Sequence, residues 1–170
     1  MPVLDIIARR KSIRHYQIGA EISDEQIHDL LEAAMLAPSA CGMRPWEFIV
    51  TRSREKLDAI RSIHPHTRML ASASAAIIVV ANFDIHNAIS GDYIPQDCAA
   101  ATENILLQAV AEGLGACWCG VYPKEDFVAE LSRIFDIKGN RAPFNVIALG
   151  VPDEAEGARG FYEEEKASWE

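Results

Sequence analysis

The feature that most limits how this chain can fold is a helix with almost no solvent face. From Pro95 or Gln96 to Glu112 the sequence is alanine, leucine, isoleucine, valine and cysteine, broken beyond its start only by Asp97, Thr102, Glu103, Asn104, Gln108 and Glu112. Gly113 ends it, as glycine does where the chain must turn left-handed after a helix. A helix apolar nearly all round must be covered nearly all round. The spacing therefore predicts a central helix with a sheet on one side and, on the other, further protein or a second copy.

The flanking elements follow from periodicity. Residues 3–10 predict a first helix with Val3, Leu4, Ile6 and Ile7 as its apolar side and Pro2 in a first-turn position; residues 15–22 read as a loop. Ser23 with Gln26 forms a capping box, and Ile27, Leu30, Leu31, Ala34 and Met35 keep helical spacing until Pro38. Trp46 to Thr51 alternates as a strand with Phe48 and Val50 on one face, and Ser53 caps a helix carrying Leu57, Ile60 and Ile63. Ala75 to Ala81 reads as a strand covered on both faces. Ala116 to Val121, Lys124 to Phe135 and Phe144 to Val151 read as strand, amphipathic helix and strand. No linker divides the 170 residues, so one domain is expected. Residues 152–170 hold seven acidic residues yet also Phe161, Tyr162 and Trp169, which suits an arm that packs on something.

Charge and cysteine usage exclude several functions. A net charge of -9 disfavours general attraction to nucleic acid or anionic membrane, so any bound anion needs a local cationic pocket. The longest apolar run, Ala75 to Ala81, is too short to span a bilayer, and the N-terminus lacks the order of a secretory signal. Cys41, Cys98, Cys117 and Cys119 are spaced neither as a disulfide framework nor as paired zinc knuckles, which suits a reducing cytoplasm. His64 and His66 flank Pro65 in a polar loop that reads as exposed. Cys117 and Cys119 share a strand face, but two thiolates are half a zinc site, so no metal is expected. Neither a dinucleotide-binding glycine motif after a strand nor a phosphate-cradling loop nor a hydrolase motif is present.

Three stretches carry possible chemistry. Arg9, Arg10, Lys11, Ser12 and Arg14 gather cations and a hydroxyl in an otherwise acidic chain, the donor types that phosphate uses; a solvated helix end reads the same way. Ala37 to Trp46 sets small residues between Pro38 and Pro45, which lets a planar ligand approach the backbone. Gly113 to Tyr122 is rich in glycine and holds Cys117 and Cys119.

In this order the stretches resemble the FMN-dependent nitroreductase family, from Ile6 to Trp169. The resemblance is carried by Arg10-Lys11-Ser12-Ile13-Arg14 followed by Tyr16, by Ala37-Pro38-Ser39 ahead of Pro45-Trp46, by Gly113 to Trp118, and by the closing Trp169. It implies an α+β, three-layer nitroreductase-like fold: a central mixed, mainly antiparallel sheet flanked by helices in an intertwined homodimer, with residues 152–170 reaching the partner. It implies that Arg10, Lys11 and Ser12, with Arg159, bind the FMN phosphate and ribityl chain, and that Arg14 lies near the pyrimidine edge. Pro38, Ser39, Ala40 and Gly42 would contact the same flavin from the other subunit, and Cys119, Gly120 and Val121 would present backbone to its N5–O4 side. The implied activity passes reducing equivalents from NAD(P)H through flavin N5 to an electron-poor acceptor such as a nitroaromatic or quinone, by ping-pong kinetics and with no catalytic side chain. Rival expectations on such a scaffold are a dehalogenase or heterocycle dehydrogenase, and an FMN-binding or storage protein without turnover. The chain departs from the family pattern at Gly42, Arg44 and Phe161, where asparagine, glutamine and a basic residue are common; a backbone N–H or Arg44 would have to replace the lost amide donor.

Overall fold

One strand is buried along its whole length, and the rest is assembled around it. The computed structural model describes residues 3–154 and 160–170. In it β2 (Ala75–Asn82) has no exposed residue. It lies inside a four-stranded sheet of order β1-β2-β4-β3, with β1 (Trp46–Thr51), β3 (Gly115–Gly120) and β4 (Arg141–Gly150). All three strand pairings are antiparallel. Alternation along β2 sends Ile77 and Val79 into one core and Ile78 and Val80 into the other. On the first face lie α2 (Asp24–Met35) and α4 (Ile94–Ala111); on the second lie α3 (Arg54–Ile63) and α5 (Glu125–Phe135). The three layers expected from the sequence are present.

The local signals behave as their chemistry requires. Ser23 and Gln26 complete a reciprocal capping box on α2, and the Ser53 hydroxyl accepts from the Lys56 N–H to start α3. Gly113, at φ 70°, turns the chain out of α4. β4 carries a bulge opposite Val79 and Val80, where Phe144 has no counterpart on β2. Pro143, which has no N–H to give a ladder, stands beside it. The freed Phe144 carbonyl accepts from the Val121 and Tyr122 N–H groups at 3.1 and 3.0 Å, which fixes the end of β3.

α4 buries Cys98, Ala101, Ile105 and Ala109 in the core it shares with the sheet. Its outer stripe is Ala99, Ala100, Glu103, Leu107, Val110 and Ala111, none fully buried within one chain. The first helix is shorter than its sequence pattern suggests. α1 spans Asp5–Arg9 and buries no residue, so the apolar side of Val3, Leu4 and Ile7 stays exposed; Pro2 lies outside the described residues. The arm is exposed too, Phe161 at 84% and Trp169 at 91%.

Residues 12–17 dock on the free edge of β3 and then on residues 151–153 that follow β4. Ser12 bridges Ala116 in parallel and Tyr16 bridges Pro152, and the Ile13 N–H reaches the Ala116 carbonyl at 2.9 Å. Among the described residues this parallel bridge is the one departure from antiparallel pairing in the sheet region. Tyr16 is buried and its hydroxyl donates toward the Ile13 and Ala148 carbonyls at 2.8 and 3.2 Å. Its ring rests on bare backbone, because a Cβ on Gly150 would stand 2.6 Å from Tyr16 Cγ. Gly150→Ala therefore overpacks this contact and should cost about 1–3 kcal/mol. Urea denaturation should show a lower midpoint with an unchanged slope, and an unchanged midpoint would mean that the edge segment is held elsewhere.

Candidate functional site

Edge docking places the basic loop against β3. Arg10 Nε lies 3.3 Å from Glu103 Oε1, and Lys11 Nζ lies 3.9 Å from Glu154 Oε2. Glu154 Oε1 also accepts the backbone N–H groups of Arg14 at 2.5 Å and His15 at 3.3 Å. These bonds, the Arg14 N–H above all, hold the Glu154 carboxyl below its usual range against the opposing effect of burial. Burial pushes the Glu103 carboxyl up, with the Arg10 charge opposing. The cations are thus arranged by carboxylates and not scattered in solvent.

Beside this loop opens a cleft of about 1070 Å³. Arg14 and His15 stand at one end, Cys117, Trp118, Cys119 and Gly120 form a wall, and the segment after α3 supplies His64 and Arg68. Lys124 and Phe127 complete it. Among the described residues no carboxylate lines it. A cleft of this size takes a flat polycyclic ring with room for a second small molecule.

The model of the nitroreductase family matches residues 7–73 and 64–151 of the chain. The chain belongs to the nitroreductase family. It is 45% identical over 166 residues to a Methanothermobacter thermautotrophicus protein named as an NADH dehydrogenase/NAD(P)H nitroreductase, covering 98% of this chain and 85% of the other. A crystal structure of a protein of the same name from Parabacteroides distasonis superposes with a TM-score of 0.91 at 34% identity, covering 97% and 95% of the two chains. An FMN-dependent nitroreductase from Clostridium difficile superposes with a TM-score of 0.87 at 28% identity, covering 96% of each.

Of the expected site residues, one chain brings part of two sets together. Arg14 lines the cleft together with Cys119 and Gly120, Ser12 bridges Ala116 on the edge of β3, and Arg10 and Lys11 line a small neighbouring pocket with Leu106, Val110 and Ala116. Pro38, Ser39, Ala40 and Gly42 do not join them. That loop is tied to the start of α4, where Asp97 Oδ1 accepts the Ala40 N–H at 2.9 Å, whereas Arg10 pairs with Glu103 further along and adjoins Leu106 and Val110. Helical rise puts about 20 Å between Asp97 and Val110. Arg159 lies outside the described residues.

The 39–44 loop is strained and closed on itself. Cys41, Gly42 and Arg44 have φ of 52°, 66° and 55°, and two of them are not glycine. Gly42 N–H is spent on the Ser39 carbonyl, and the Ser39 hydroxyl accepts the Arg44 N–H. The Arg44 guanidinium turns back to the Met35 carbonyl at 2.9 Å. Within one chain, both groups that could have replaced the lost amide donor are engaged inside the loop.

His64 corrects the sequence expectation. It is 2% exposed, stacked 4.4 Å from Phe127, and its Nε2 lies 2.7 Å from the Gly120 carbonyl. The His66 N–H donates to His64 Nδ1 at 3.2 Å. An acceptor role for Nδ1 leaves the proton on Nε2, so the neutral ring donates to Gly120 and fixes that peptide. Nothing in the local sequence announces a partner so far along the chain. Asp97 was visible only as an acid inside an apolar helix; its Oδ2 is buried without a partner.

Cys117 and Cys119 form a coupled pair. The Cys119 thiol hydrogen-bonds to Cys117 and, with help from Arg14 and the Ser12 hydroxyl, lowers the Cys117 pKa despite burial; the same bond raises that of Cys119. Burial and the neighbouring Asp97 push Cys98 up to about 12. In a Cys41→Ser background, thiolate absorbance at 240 nm should show a first step below the usual thiol pKa of about 8.5. Cys119→Ala removes the donor and should move that step upward. A single step at the ordinary position in both proteins would show that the pair is not coupled.

Proposed function

We propose that this protein is an FMN-dependent oxidoreductase that carries reducing equivalents from NAD(P)H to an electron-poor acceptor, such as a nitroaromatic or a quinone. It works in ping-pong order as a cytoplasmic homodimer. The observation that carries the reading is the basic loop 10–14, held on the edge of β3 by Ser12 and Ile13, which brings Arg14 into the lining of the large cleft. Its family relative from Clostridium difficile, FMN-dependent by name, supports the same cofactor. Among the described residues no helix is long and apolar enough to cross a membrane.

The residues present fit FMN. Guanidinium, ammonium and hydroxyl donors from Arg10, Lys11 and Ser12, joined by Arg159, suit its phosphate and ribityl chain. When bound, the flavin would supply the redox chemistry, as an acceptor of hydride at N5 and a donor of electrons to the second substrate. Arg14, close to the pyrimidine edge, offsets negative charge that gathers there. Cys119, Gly120 and Val121 present backbone to the N5–O4 side, and His64 keeps the Gly120 peptide in one orientation. Pro38, Ser39, Ala40 and Gly42 cover the flavin of the partner subunit, and no side chain acts as acid or base. The half-buried stripe of α4 and the exposed arm bearing Phe161, Tyr162 and Trp169 support a homodimer, since apolar side chains left uncovered together favour a protein partner.

The test begins with the purified protein's visible spectrum. It should be yellow and should bleach anaerobically on adding NADH, and a colourless preparation that ignores FMN would refute the reading. Arg10→Ala should weaken FMN binding by about 2 kcal/mol, near thirtyfold, measured by flavin fluorescence. Arg14→Gln should lower the flavin reduction potential while binding persists. Initial rates with menadione should give parallel double-reciprocal lines; intersecting lines would rule out ping-pong order.

A further inference from the structure

Among the described residues, almost every lysine and arginine side chain holds a hydrogen bond or an ion pair. The exceptions are Arg68 and Lys124, and both line the same cleft. In a chain with 25 acidic residues against 16 basic ones, an unpaired cation is easy to neutralise. Two left unpaired at one opening, with no carboxylate in its lining, form a local positive region inside a negative protein.

Neither side chain is explained by stability. Both residues are exposed. Lys124 is the N-cap residue of α5, where its side chain makes no cap and the helix dipole disfavours a cation. Glu125 and Asp126 follow it in the first turn, yet neither pairs with it nor faces the cleft. His15, His64 and His66 add nitrogen donors and acceptors to the same lining but no opposing charge while neutral.

We propose that Arg68 and Lys124 form a cationic rim that selects, among small molecules entering the cleft, those that bear a carboxylate or phosphate group. This rests on the flavin-site reading above and names the chemical class of what is exchanged there. The cations flank an apolar floor that includes Met69 and Phe127, so the fitting ligand is a flat ring with an anionic substituent.

The experiment compares matched probes on the holoenzyme and on the Arg68→Gln/Lys124→Gln double variant. One arm measures 4-nitrobenzoate against 4-nitrobenzyl alcohol, by titration calorimetry and by kcat/KM. The other measures NADH and NADPH against 1-benzyl-1,4-dihydronicotinamide. Wild type should prefer the anionic probe in at least one arm. The double variant should reduce that preference about three- to tenfold, the scale of two exposed charges acting together, and added salt should reduce it in wild type. A change in the first arm assigns the rim to the acceptor, and one in the second to the nucleotide's phosphates. Preferences unchanged in both arms overturn the proposal. Loss of FMN from the double variant overturns it too, because the pair would then serve the cofactor's own phosphate. A wild type without flavin or turnover would sink the enzymatic reading, while calorimetry with 4-nitrobenzoate would still decide whether the rim binds anions.

Discussion

The site depends on one close approach: residues 12–17 lie with their backbone against β3 at one end and against residues 151–153, just after β4, at the other. The Ile13 N–H reaches the Ala116 carbonyl, the Gln17 N–H reaches the Val151 carbonyl, and the Asp153 N–H returns to the His15 carbonyl, each at 2.9 Å. Side chains would forbid it. A Cβ on Gly115 would stand 2.7 Å from Ile13 Cγ2, and one on Gly150 would meet Tyr16. The contact closes an edge that would otherwise be open to pairing with another chain. It also brings a cationic segment from the start of the chain against a strand a hundred residues later. Burial of Tyr16, whose hydroxyl stays protonated because its pKa is raised chiefly by desolvation, locks the segment in place.

Electrostatics then refine what the backbone has placed. A protein of net charge -9 repels anions at long range, so a cationic region must be assembled locally. Glu103 and Glu154 each hold one cation of the basic loop, and Glu154 fastens the loop's backbone as well. These carboxylates reduce the field of Arg10 and Lys11 but fix where the charges sit, which suits repeated binding of one ligand at one place. Arg68 and Lys124, across the cleft, have no such partners and keep their full field. The restrained cations thus stand beside the cleft and the unrestrained ones in its lining.

The sequence made the layers legible because their signals are local. Capping at Ser23 and Ser53, the apolar run of β2, and the stop at Gly113 act within a few residues, and the structure agrees with each. The basic loop and the Cys119–Val121 strand end were likewise identifiable from short motifs. Features set by distant contacts were not. His64 looked exposed beside Pro65, yet the fold brings it under Phe127 and onto Gly120, 56 residues away. Glu154 reaches Arg14 across 140 residues, and no periodicity in a polar tail encodes that. Arg68 and Lys124 are distinctive only for the partners they lack, which requires coordinates for everything else. The first helix was read too long because an apolar side predicts burial without saying whose surface does the burying.

That last point bears on the architecture as a whole. The small-residue loop 38–42 sits at the N-terminal end of α4, held by Asp97, while the basic loop sits towards its C-terminal end, held by Glu103. A single chain cannot bring the two together, because the helix between them is rigid. A two-fold axis crossing the middle of α4 would lay the helices antiparallel and set each N-terminal end beside the partner's C-terminal end. It would cover Ala99, Ala100, Leu107 and Val110, which leave the helix half-clothed in one chain. It would also bring the strained Cys41–Arg44 turn over the partner's cleft, where its strain would serve to present backbone to a ligand. In such an arrangement the nearly all-apolar helix would be the element that makes one site out of two halves.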